Sequence, residues 1–113
     1  MRQDFSGRLK AQGICPSFNL NSCEWFEKFD KENKTVGKYG TNGGEHYIEE
    51  LGYWVDYINF EKKLIIEWDE TTHYYHDQLK EKDKIRQIEI EKIYPDFKFV
   101  RIRTDRYGKI INI

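Results

Sequence analysis

The sequence predicts a mixed α/β fold: a small three- to four-stranded mixed sheet flanked by helices. Three observations predict it. Two aromatic and β-branched runs, 53–60 and 64–69, are separated by the three residues Glu61-Lys62-Lys63, which reads as a hairpin. A charged stretch at 77–93 carries Leu79, Ile85, Ile88 and Ile93 as a rough apolar stripe and is stopped by Pro95, which reads as the longest helix. A third β-rich run, 97–103, follows it, so helices and strands alternate as in layered α/β proteins.

The elements follow in order. Residues 1–22 are polar, with Gly7, Gly13 and Pro16 as breakers. Ser22 is placed to cap a short helix through about residue 31, with Trp25, Phe26 and Phe29 at helical spacing. Residues 33–44 read as a loop ending in Gly43-Gly44. Residues 45–51 read as a short helix: Tyr47, Ile48 and Leu51 share a face, and Gly52 is placed to stop it. In the second hairpin strand, alternation puts Ile65, Glu67 and Asp69 on one face and Leu64, Ile66 and Trp68 on the other. Beyond Gly108 a short apolar tail, 110–113, could add an edge strand. The organisation is an extension over 1–42 with an aromatic helix and a core over 43–113, forming one compact domain.

Composition narrows the function classes. The chain has 113 residues, too few for two independent cores. Its 7 Phe, 8 Tyr and 3 Trp supply enough apolar bulk to make disorder a poor description. No apolar run approaches the roughly 20 residues of a membrane helix, and the N-terminus has no apolar stretch resembling a secretory signal. The 2 cysteines, Cys15 and Cys23, form no CxxC, which argues against structural zinc or a disulfide scaffold and for a reducing, intracellular setting. The net charge of −1 is unevenly spread. Residues 1–44 hold 7 basic and 5 acidic residues, 45–77 hold 2 and 9, and 78–113 hold 10 and 6. An acidic centre between basic ends suits carboxylates gathered around a cation, with a polyanion held by the flanks; chance clustering of surface charge is the plainer alternative.

The acids repay a closer look. A hairpin sets Asp56 beside Glu67 and Asp69, because antiparallel partners lie about 5 Å apart. Converging carboxylates repel one another and lose hydration, a cost that a hard divalent cation such as Mg²⁺ removes. Exposed hairpin acids are the alternative for Asp56 and Asp69, less so for Glu67 in its apolar strand. His73, four residues after Asp69, could activate a water or ligate a metal, or simply be solvated, as His76 and His46 are expected to be. Asn42-Gly43-Gly44-Glu45 matches a capping box, against a role for Glu45 as a further acid of the site. Asp83 and Arg86, one helical turn apart, read either as an i,i+3 ion pair or as a positioning acid and a phosphate contact. Arg101, Arg103 and Arg106 form a basic stripe able to follow a nucleic-acid backbone.

Taken together, Asp56-Tyr57, the strand Leu64-Ile65-Ile66-Glu67-Trp68-Asp69, His73, Asp83-x-x-Arg86 and the strand ending Val100-Arg101-Ile102 resemble the PD-(D/E)xK nuclease superfamily. They resemble in particular the branch of very-short-patch repair endonucleases and related phage homing endonucleases. The resemblance spans about residues 43–103 and implies a restriction-endonuclease-like core. It implies Asp56 and Glu67 as metal-binding acids, Glu45 as the acid of a first helix, and Asp83 as the acid of a later one. Asp69 falls where most of the superfamily has Lys, so His73 is the implied substitute for orienting the attacking water. Two departures stand out: Val55 replaces Pro before Asp56, and Glu70 follows Asp69 where relatives often have Gly.

The implied activity is a Mg²⁺-dependent endodeoxyribonuclease, with Mn²⁺ able to substitute. Catalytic roles fall to Asp56, Glu67, Asp69, His73, Glu45 and Asp83, and DNA contacts to Arg86, Arg101, Arg103 and Arg106. DNA is the implied partner, with a homodimer through the aromatic helix also open and no membrane. The location is intracellular, cytoplasmic or nucleoid-associated, with a phage origin open. The alternatives are a non-enzymatic nucleic-acid-binding module with a degenerate nuclease fold, and a structural interaction domain whose acids are only surface.

Overall fold

The computed structural model describes residues 19–70, 74, 75 and 78–111. Helix α1 (Leu20–Asn33) starts at Asn19, whose Oδ1 accepts from the Ser22 N–H at 3.1 Å, so the cap lies three residues ahead of the expected one. It ends at Lys34 in the left-handed region. Short strands β1 (Lys38–Tyr39), β2 (His46–Ile48), β3 (Tyr53–Val55) and β4 (Tyr57–Asn59) lead to β5 (Leu64–Asp69). A two-residue pair, β6 (Tyr74–Tyr75) and β7 (Gln78–Leu79), precedes helix α2 (Glu81–Ile93) and strand β8 (Lys98–Arg103).

The expected mixed α/β class holds. The main sheet has four strands in the order β1-β4-β5-β8. β4 and β5 form the expected antiparallel hairpin, with Tyr57 opposite Ile66. β5 and β8 pair in parallel over six residues, from Leu64–Lys98 to Asp69–Arg103, with α2 as the crossover. The alternation along β5 also holds. Ile66 and Trp68 join Phe26, Tyr57 and Ile102 in a core under α1. Ile65 joins Ile48, Val55, Ile58 and Ile90 on the other side. The stretch read as an extension therefore supplies one wall of the core, through Phe26 at 1% exposure, and the edge strand β1. Among the described residues, no helix is long and apolar enough to cross a membrane.

Four expectations need correction. Residues 45–51 are not a helix: β2 pairs antiparallel with β3 around a turn closed by Gly52 at φ 73°. Three apolar residues at helical spacing are also compatible with a strand and its turn, and cross-strand pairs such as Tyr47–Trp54 decide for the strand. Nor is Asn42 a helix cap; its amide donates to the Gly37 carbonyl at 2.8 Å. Further, 53–60 is not one strand. It breaks at Asp56, where the chain leaves the β2–β3 pair and enters the main sheet. The helix expected over 77–93 begins at Glu81, because Gln78 and Leu79 are in β7.

The link from α1 to β1 is packed without slack. Buried Asp30 accepts from the Tyr57 hydroxyl at 2.6 Å and from the Gly37 N–H at 2.7 Å. A Cβ on Gly37 would overlap the Tyr57 ring. Gly37→Ala therefore displaces Tyr57 from Asp30 and is expected to cost about 1–3 kcal/mol, read as a lowered denaturation midpoint.

Candidate functional site: an acid pair at the junction of two sheets

The break at Asp56 positions the site. Continuing the β2–β3 register one step past His46–Val55 brings Glu45 opposite Asp56. Continuing the β4–β5 register one step past Tyr57–Ile66 brings Asp56 opposite Glu67. Glu45, Asp56 and Glu67 thus fall in one row across both hairpins. The main chain then locks the last two together. The Trp68 N–H donates to Asp56 Oδ2 at 2.7 Å, and the Asp56 N–H donates to Glu67 Oε2 at 3.2 Å. Each carboxylate accepts from the other's strand, so neither can swing away without losing a hydrogen bond.

Electrostatics follow from this closeness. Glu67 and Glu45 are buried. Burial pushes the Asp56 carboxyl up to about 7, helped by the charge of Glu45, although the residue as a whole is part-exposed. Burial pushes Glu67 up to about 8, helped by the charge of Asp56 and opposed by Arg86. The Arg86 guanidinium spans Glu67 Oε1 with Nε at 3.2 Å and Nη2 at 2.5 Å, and Nη2 also donates to the Trp54 carbonyl. It lies 4.9 Å from the centre of the Tyr53 ring.

A pH dependence results. Both carboxyls hold protons more tightly in the fold than in the unfolded chain, where their ordinary values are 3.8 and 4.5. Their contribution is fully present below those values and is lost as pH rises through about 7 and 8. In EDTA, wild type should therefore lose melting temperature, relative to an Asp56→Asn, Glu67→Gln double variant, as pH rises from 5 to 8.5. Mg²⁺ at the upper end should restore it. Parallel melting curves of the two proteins would count against the coupled pair.

The remaining expected residues are placed as follows. Both Asp69 carboxylate oxygens lie 2.8 Å from Arg101 Nη1, and Asp69 is almost fully buried. Arg101 is held further by Gln87 Oε1 at 2.7 Å and by the Asp83 carbonyl at 3.2 Å. Asp83 is buried on α2 near its N-terminus. Its expected i,i+3 partner Arg86 turns to Glu67 instead. Arg103 is part-buried, whereas Arg106 is exposed and stacks its guanidinium 5.0 Å from the Tyr107 ring centre. His46 is part-buried against Tyr94, with its ring nitrogen 2.9 Å from the Tyr94 hydroxyl, and burial lowers its pKa. His73 and His76 lie outside the described residues, as does Cys15. Gln87, the Trp54 carbonyl and Tyr53 were not legible from the sequence as partners of the two arginines. Glu45, expected as the acid of a first helix, instead lies one step before strand β2, where the pairing with β3 brings it opposite Asp56.

The donor chemistry fits a hard divalent cation. Asp56 and Glu67, both raised by burial and by acid neighbours, with Arg86 offsetting part of the charge on Glu67 alone, can exchange protons for a metal. Among the described residues, no group of three or more His, Cys, Asp or Glu side chains is placed to hold a metal ion. A cation here would rely on two carboxylates with water and phosphate oxygens, the usual manner of Mg²⁺. No family model matches the chain, and neither a curated protein nor a solved structure does.

Proposed function

We propose that this chain is a divalent-cation-dependent endonuclease that hydrolyses DNA phosphodiester bonds at the Asp56–Glu67 pair. The observation that supports it is the row of Glu45, Asp56 and Glu67 across two hairpins, with Asp56 and Glu67 cross-locked by main-chain donors. Asp56 and Glu67 would hold the cation, Mg²⁺ or Mn²⁺. Such a cation offsets negative charge on the phosphate and makes a bound water more acidic. Glu45 raises the negative potential behind Asp56 and would accept a proton from a water there. Arg86 keeps Glu67 oriented, with Nε and Nη2 both on Oε1. Asp69, with both oxygens on Arg101, ties β5 to β8 and keeps Glu67 in register.

The test is incubation of plasmid DNA with the chain in Mg²⁺ or Mn²⁺. Cleavage that EDTA abolishes supports the proposal, and intact plasmid under all conditions rejects it. DNA affinity should fall with salt at about −0.9 per neutralised phosphate on a log–log plot. Arg106→Ala should make that slope shallower by about 1, because Arg106 is exposed and Arg86 and Arg101 are engaged by carboxylates.

A second reading rests on Arg86. Its guanidinium already supplies a positive charge at Glu67, which suits a non-enzymatic DNA-binding module with a degenerate site. That reading expects DNA binding without cleavage and no rise in melting temperature with Mg²⁺.

A further inference from the structure

On the face of β5 opposite Glu67, a cleft of about 360 Å³ opens at the C-terminal ends of β5 and β8, the end of an open α/β sheet where ligands usually bind. Trp68 lines it from the buried side, Asn19 and Asn21 from α1, and Thr104, Arg106 and Tyr107 from the turn after β8. This turn is built to be rigid. Asp105 Oδ1 accepts from the N–H groups of Tyr107 at 2.8 Å and Lys109 at 2.9 Å. The Asp105 N–H bonds the Lys109 carbonyl, and the Gly108 N–H bonds the Asp105 carbonyl. Gly108 takes φ 84°, and a Cβ there would stand 3.2 Å from Asn21 Nδ2, narrowing the cleft wall.

The rigid turn holds Tyr107 out at 79% exposure, so its ring does little for the core. The Arg106 guanidinium lies over that ring. An exposed aromatic beside a cation, above a cleft lined by an indole and the Asn21 amide, matches how unpaired bases are held: stacking on the ring, an edge hydrogen bond to Asn21, phosphate on the arginine. The Asn19 amide is taken up by the Ser22 N–H and Glu70. Glu70 and Asp105 also line the cleft and disfavour a phosphate inside it, which leaves the uncharged base as the better occupant.

We infer that this cleft binds one unpaired nucleobase of a single-stranded nucleic acid, stacked on Tyr107. The inference rests on the nuclease reading for its partner class and names the substrate as single-stranded or locally unpaired. Trp68 joins the two sites, since its N–H donates to Asp56 while its side chain lines the cleft.

The test compares a fluorescent oligodeoxyadenylate with an abasic oligonucleotide of equal length, in EDTA at low salt, by anisotropy on the full chain. Wild type should bind the adenylate roughly 10- to 100-fold more tightly, the worth of a stacked base. Tyr107→Ala should erase that preference and Tyr107→Phe should keep it. The melting temperature should not change, given the exposure of the ring. Equal binding of both oligonucleotides by wild type, or an undiminished preference in Tyr107→Ala, overturns the inference. Because no cation is present, the result is separate from catalysis. A base preference without plasmid cleavage keeps the cleft and rejects the nuclease, whereas cleavage without a base preference does the reverse.

Discussion

Asp56→Asn is expected to abolish plasmid cleavage while the protein melts at or above the wild-type temperature at pH 8. The amide oxygen still accepts the Trp68 N–H, so the cross-lock to β5 survives. What disappears is a desolvated carboxyl facing Glu45 and Glu67, a net cost to the fold once ionised. A metal centre contributes several kcal/mol of transition-state stabilisation, and each 1.36 kcal/mol is tenfold in rate, so a fall of at least about a thousandfold is expected. Glu67→Gln should abolish cleavage equally but leave stability near wild type. It relieves the same repulsion, yet it leaves Arg86, a part-buried cation, without its carboxylate. Glu91→Gln, on the exposed face of α2, is the control and should change neither property. Wild-type cleavage by Asp56→Asn would sink the assignment of the site.

The second large effect falls on stability. Asp69 and Arg101 form an ion pair whose side chains are 2% and 14% exposed. Asp69→Ala takes away the buried carboxylate whose two oxygens meet Arg101, while Gln87 and the Asp83 carbonyl still hold the guanidinium inward. Breaking such a pair from one side costs about 3–5 kcal/mol, a large part of the 5–15 kcal/mol that typically stabilises a domain. At about 4–8 °C per kcal/mol for a small domain, the melting temperature should fall by more than about 10 °C. Arg101→Met in the Asp69→Ala background should recover part of the loss, since it removes the charge that Asp69 had answered. Equal melting temperatures for the single and double variants would mean that the pair is not what stabilises this edge.

The hairpin at 57–66 and the strand 98–103 were legible in the sequence because each is specified locally. The helix before Pro95 was legible in place but not in its inward face, since Ile85 and Ile88 of the expected stripe are exposed and Ile90 is buried instead. Alternation along β5 decides which side chains face α1, and Pro95 stops α2 whatever surrounds it. The juxtaposition of Asp56 with Glu67 was legible for the same reason, since a short turn leaves the two strands little choice of register. The 45–51 segment was not. Its apolar spacing suits a helix turn as well as a strand, and only pairing with 53–55 resolves it. That pairing, non-local in its energetics, also decided that Glu45 completes the row of acids. The fate of the charges was likewise a tertiary decision. Spacing on α2 offered Asp83 as partner to Arg86, but a surface i,i+3 pair is worth only about 0.2–0.5 kcal/mol. A buried carboxylate such as Glu67 or Asp69 demands a counter-charge far more strongly, so Arg86 and Arg101 turn inward. By itself the sequence determined that Asp56 and Glu67 would meet; the β2–β3 pairing brought in Glu45, and the packing of α2 and β8 against β5 turned Arg101 to Asp69 and Arg86 to Glu67.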